Sequence, residues 1–70
     1  MTEVRSEIAA SVWKVMVEAG QAVEAGATLA ILESMKMESP VEAPRAGTVT
    51  EVRVAPEDRV AEGDIIAILD

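Results

Sequence analysis

Few residues in this 70-residue chain are equipped for chemistry. It has neither histidine nor cysteine, which removes the usual acid–base switch near neutral pH and every thiolate nucleophile or metal ligand. Carboxylates remain as the only strong metal ligands. They are scattered along apolar segments with no evident pocket, so an enzyme is the weakest reading. One group stands apart: Lys36, within Glu33-Ser34-Met35-Lys36-Met37-Glu38. Its amine is a possible acylation target. A free lysine amine is overwhelmingly protonated at neutral pH, so Lys36 does not acylate itself. Another protein must remove the proton and bring an activated acyl group. The only other lysine, Lys14, reads as solvated surface charge on a strand.

The segment around Lys36 has the outline of a β-hairpin. Leu29 to Leu32 runs in, and Ser39 to Ala43 runs back, with Pro40 and Pro44 keeping the residues before them extended. Lys36 then falls at or near the tip. Such tips favour Asn-Gly or Asp-Gly; Met-Lys-Met is a poor turn and leaves two methionines in water. A local rule broken without local benefit points to function. Alone, the tripeptide is weak: a tip lysine is ordinarily a solvated charge, flanking methionines ordinarily fold back onto the core, and short motifs match by chance. Its position in the chain makes it specific.

That position is set by an internal repeat of 37 residues. Residues 11–33 fall on 48–70 with eight of 23 positions identical and no gap. Val12, Val15 and Val17 match Val49, Val52 and Val54; Val23 and Gly26 match Val60 and Gly63; Ala30-Ile31-Leu32 matches Ala67-Ile68-Leu69. Solenoids need at least three repeats, so two copies predict a closed structure with pseudo-twofold symmetry. Each half reads as strand, turn, short strand, turn, strand. Val15 and Val17 alternate with period two, as do Val52 and Val54, while Val12 and Val49 fall out of phase. A shared bulge near 13–14 and 50–51 accounts for both.

Turn residues punctuate each half. Gly20 accepts a positive φ and predicts a type II turn after Ala19. Its counterpart is Pro56-Glu57, where the glycine is missing, and a type I turn is expected. Gly26 and Gly63 precede the last strand of each half as turn residues. Gly20 and Gly26 break up the only stretch with helix formers, so no helix is predicted. The link, residues 34–47, joins the two halves, and the symmetry places it opposite the chain termini.

Taken together, Glu33-Ser34-Met35-Lys36-Met37-Glu38, Val41-Glu42-Ala43-Pro44 and Gly47-Thr48-Val49, set midway between matched halves, resemble the biotinyl/lipoyl attachment domains. The resemblance runs from Val12 to Asp70 and is greatest for the stand-alone bacterial attachment proteins. It implies residues 1–70 as one all-β domain, a flattened barrel of two four-stranded antiparallel sheets, with pseudo-repeats 11–33 and 48–70 and an acceptor hairpin at 34–47. It implies a non-catalytic carrier in which biotin is covalently attached to Lys36. Met35 and Met37 correspond to the flanking residues that mark biotinyl acceptors; lipoate, serving 2-oxoacid dehydrogenase or glycine cleavage chemistry, is the alternative. The implied partners are a biotin protein ligase and the biotin carboxylase and carboxyltransferase between which a carboxyl group is carried. An unmodified interaction module is a further reading. The chain departs from the family pattern at Ala10 and Glu57, where glycines are common.

Composition bounds the rest. The net charge of −7 is the wrong sign for neutralising phosphates, so no nucleic-acid partner is expected, and it would steer the domain toward basic surfaces. No apolar run reaches a membrane span and no signal pattern opens the chain. A cytoplasmic location without membrane association is the expectation. Half of the residues are apolar, mostly Val, Ile, Leu and Ala, with Trp13 the only aromatic. Small β-branched side chains of this kind suit short, tightly packed strands.

Overall fold

A computed structural model describes all 70 residues, Met1–Asp70. Eight strands follow one another: β1 (Thr2–Arg5), β2 (Ala10–Val15), β3 (Ala22–Val23), β4 (Thr28–Ser34), β5 (Met37–Glu42), β6 (Gly47–Val52), β7 (Arg59–Val60) and β8 (Ile65–Leu69). They form two four-stranded antiparallel sheets, ordered β1-β8-β6-β3 and β5-β4-β2-β7, in a body of 31 × 17 × 17 Å. There is no helix, hence none long and apolar enough to cross a membrane.

Shifting residue numbers by 37 turns one sheet into the other. Val12 pairs with Leu32 as Val49 pairs with Leu69. Leu32 pairs with Ser39 as Leu69 pairs with Thr2. The first strand, β1, is therefore the counterpart of β5, so the matched pairs reach beyond 11–33 and 48–70. The expected bulges are present in both halves: register slips between Val12 and Lys14 and between Val49 and Glu51. Each leaves one extra residue, Trp13 or Thr50, and bends its strand toward closure.

What welds the halves is an exchange of the short strands. β3 of the first half pairs with β6, and β7 of the second half pairs with β2. The core follows the same logic. One cluster holds Val23 and Leu29 with Val49, Ala67 and Leu69; its image holds Val60 and Ile66 with Val12, Ala30 and Leu32. Each cluster draws on both halves, so neither half can bury its apolar face alone.

The turn at Pro56-Glu57 corrects the type I expectation. Glu57 has φ 77°, and the amide of Asp58 donates to the Ala55 carbonyl at 3.1 Å; with Pro56 in the first central position this is type II geometry. The cause is tertiary. The Glu57 amide donates to Val12 O at 2.7 Å, as the Gly20 amide, at φ 94°, donates to Val49 O at 2.6 Å. Both turns plug into the opposite bulged strand, and that bond demands the same backbone whether or not glycine is there. A left-handed non-glycine residue costs about 1–2 kcal/mol, of which glycine returns roughly 0.5–1 as lost chain entropy. Glu57→Gly is therefore expected to stabilise the domain by about 0.5–1 kcal/mol, read as a rise of several degrees in a thermal melt. The other departure, Ala10, carries no such strain; it is buried at the start of β2 opposite Val60.

Candidate functional site

The hairpin of β4 and β5 pairs Leu32 with Ser39, Glu33 with Glu38 and Ser34 with Met37. Met35 and Lys36 are then the two loop residues, with φ 51° and 68°. Two successive positive φ values in a two-residue loop are the signature of a type I′ turn, whose twist matches that of the flanking strands. Neither residue is one that this turn favours. Glu33 and Glu38 add like charges directly across the strands, a further local penalty.

The turn persists because its base is held. On β4, Leu29, Ala30 and Leu32 are almost fully buried, and β2 pairs along its other side. β5 is an edge strand, which tolerates the missing amide of Pro40. Packing below thus imposes a geometry that the tip sequence would not choose.

What the tip displays is unusual for a loop. Met35 is 93% exposed and Met37 70% exposed, so neither methionine folds back onto the core. Lys36 is exposed between them and takes part in neither of the molecule's two ion pairs, Arg5–Glu3 and Arg53–Glu51. Its amine is sterically open to an incoming reagent. Lys14, by contrast, lies on β2, paired with Ile31 of β4, with its ammonium 4.5 Å from the ring centre of Trp13.

The tip is also remote from the chain ends. β5 runs six residues away from it, roughly 20 Å at strand rise, before the chain reaches Arg45. That side chain donates to Thr2 Oγ1 at 2.7 Å and to Asp70 O at 3.2 Å. Gly47 follows because a Cβ there would lie 2.7 Å from Asp70 O. Within the link, then, only the hairpin points away from the termini, and residues 45–47 return to them. The Arg45 clasp was not foreseen from sequence, and neither was β1. The only trace of β1 is a single matching pair, Val4 and Val41.

A concavity of about 580 Å³ forms a groove between β1 and β5, lined by residues including Glu3, Arg5, Ser39 and Glu42. It does not include Met35, Lys36 or Met37. The candidate site is a projection, its three tip residues strongly exposed. An arrangement of this kind can offer its amine to the pocket of another protein.

A family model described as "Biotin-requiring enzyme" matches residues 2–69. The chain is 50% identical over 60 residues to the biotin/lipoyl attachment protein of Bacillus subtilis, covering 86% of this chain and 82% of that protein. It is 48% identical over 67 residues to the biotinylated protein TB7.3 homolog of Mycobacterium leprae, covering 96% of this chain and 94% of the relative. Its backbone is similar to a solved urea carboxylase of Kluyveromyces lactis, with a TM-score of 0.92 and 33% identity. That match covers 99% of this chain and 6% of the carboxylase.

Proposed function

The chain belongs to the biotin/lipoyl attachment family, whose attached group here is biotin, and from that premise we propose that Lys36 is the residue biotinylated, making residues 1–70 one carrier domain for a carboxyl group. The observation that carries the reading is the tip itself: an exposed lysine between two exposed methionines, held in a type I′ turn by packing rather than by its own sequence. In the reaction, a ligase deprotonates the Lys36 ammonium. The Nζ lone pair attacks the acyl carbon of biotinyl-adenylate, adenylate leaves, and an amide bond forms. Once attached, biotin supplies a ureido nitrogen that takes up and releases a carboxyl group. The protein's own part is mechanical. The hairpin holds Nζ clear of the acidic body, and six residues of β5 separate the tip from the Arg45 clasp. Covalent tethering replaces free diffusion with a high effective concentration at each enzyme visited.

The partners in this proposal are a biotin protein ligase, a biotin carboxylase and a carboxyltransferase, with the carrier non-catalytic and cytoplasmic. The relatives favour biotin over lipoate. Co-expression with both a biotin and a lipoate ligase, followed by intact-mass measurement, tests this: one biotinyl addition is expected, and a lipoyl addition alone would overturn it.

Met35 and Met37 offer the ligase an unbranched, polarizable and adaptable surface. Replacing both by Leu is expected to leave the thermal melt unchanged while slowing biotinylation several-fold, since branched side chains repack less readily against a pocket. Unchanged modification kinetics would remove the methionines from the recognition surface.

A further inference from the structure

The pseudo-twofold acts as an internal control on every surface residue, because each position has an image that performs the same backbone task. By that control one face carries large apolar side chains without a structural reason. We propose that the outer face of the β5-β4-β2-β7 sheet, centred on Trp13, is where the biotin ligase docks to modify Lys36; the proposal rests on the reading of Lys36 as the acceptor.

Trp13 is the extra residue of the β2 bulge and is 43% exposed, with Met16 51% exposed beyond it. Their images are Thr50, the extra residue of the β6 bulge, and Arg53, just beyond the end of β6. Alongside Trp13, Lys14, Ile31 and Pro40 lie in one row across β2, β4 and β5. The image row is Glu51, Ile68 and Glu3 across β6, β8 and β1. The fold therefore accepts threonine, arginine and glutamate where this face carries tryptophan, methionine and proline. All six large exposed apolar side chains, Met1, Ile8, Trp13, Met16, Met35 and Met37, precede residue 38. Bulge formation does not require Trp13, since Thr50 occupies the same bulge.

Continuity with the acceptor tip selects the occupant. Trp13 sits between the pairs Val12–Leu32 and Lys14–Ile31, four to five residues along β4 from Lys36, or roughly 15 Å. An enzyme that has to bring the bare Nζ into its active site must press its surface against the base of the hairpin. Enzymes visited after modification reach the cofactor through a long tether and can stand further back. The Lys14 ammonium over the ring, at 4.5 Å, restrains the indole, so less freedom is lost when a partner covers it. Tryptophan is also the residue type most enriched where binding energy concentrates. Exposed Glu33, Glu38 and Glu42 rim the strip. The complementary ligase surface is an apolar recess bordered by basic side chains.

The test exchanges residues for their own images. Trp13→Thr with Met16→Arg, assayed for transfer of biotin by a purified biotin protein ligase with ATP, is expected to raise the KM for the carrier about tenfold while kcat changes little. The melt should be preserved, Trp13→Phe should recover most of the KM, and Thr50→Trp on the opposite sheet should have no effect. An unchanged KM overturns the proposal. It is equally overturned if the variant instead impairs only carboxylation by a biotin carboxylase, or abolishes a concentration-dependent dimer. Wild-type protein that takes no biotin at Lys36 overturns the acceptor reading itself, an outcome distinct from modified protein with an unaltered KM.

Discussion

Lys36→Arg is expected to abolish biotinyl addition completely, with no measurable loss of fold. Arginine keeps the charge and a similar aliphatic stem, but its guanidinium stays protonated and does not act as an acyl acceptor. The tip carries its side chain into solvent, so the core does not register the exchange. The only other amine on a side chain is Lys14. It is fixed on β2 by pairing with Ile31 of β4, beside Trp13 rather than between methionines, and a paired strand cannot enter a pocket as a hairpin tip does. Intact-mass measurement after co-expression with a biotin ligase checks this. Lys14→Arg should retain full modification. A biotinyl mass on the Lys36→Arg protein would place the acceptor elsewhere.

The second large effect is on stability, and the symmetry makes it a paired prediction. Leu32 and Leu69 are images, 1% and 0% exposed, in the two matched core clusters. Truncating a buried leucine to alanine costs about 2–5 kcal/mol. A single core of this size rarely supplies more than roughly 3–5 kcal/mol, and with no cysteine there is no disulfide to compensate. Leu32→Ala and Leu69→Ala should each leave the domain largely unfolded at 37 °C. Each should lower the melting temperature by about 8–40 °C, taking about 4–8 °C per kcal/mol for a chain of this length. Because each cluster mixes both halves, the two losses should be similar and each should unfold the whole domain in one transition. A variant that melts only one sheet would contradict the interlocked core. Loss of biotinylation in these variants would follow from loss of the hairpin's base.

Much of this was legible in the linear chain because the relevant signals are local or periodic. Alternating valines marked strands, and the out-of-phase Val12 and Val49 located both bulges. Gly20, Gly26 and Gly63 fell at positive φ as expected because local preference and the long-range bonds of their amides, to Val49 O, Ala43 O and Ser6 O, ask for the same backbone. The 37-residue shift located the link, and Met-Lys-Met at its tip drew attention by breaking the rules of hairpin turns. Glu57 departs from local preference. Proline followed by a non-glycine residue predicts type I on local preference, but the hydrogen bond to Val12 comes from the other half of the molecule and outweighs about a kilocalorie of strain.

The amino-acid sequence by itself determined the strand pattern, the duplication, the identity of Lys36 and its methionine neighbours, and the family to which they point. Each of these depends on residue type and spacing alone. Only the tertiary structure decided that β3 and β7 exchange sheets, that β1 completes the symmetry, and that Arg45 ties the termini together. It alone brought Trp13, Ile31 and Pro40 side by side on one sheet. Those features depend on which backbone amides and side chains meet across tens of residues, and no local propensity encodes such a meeting.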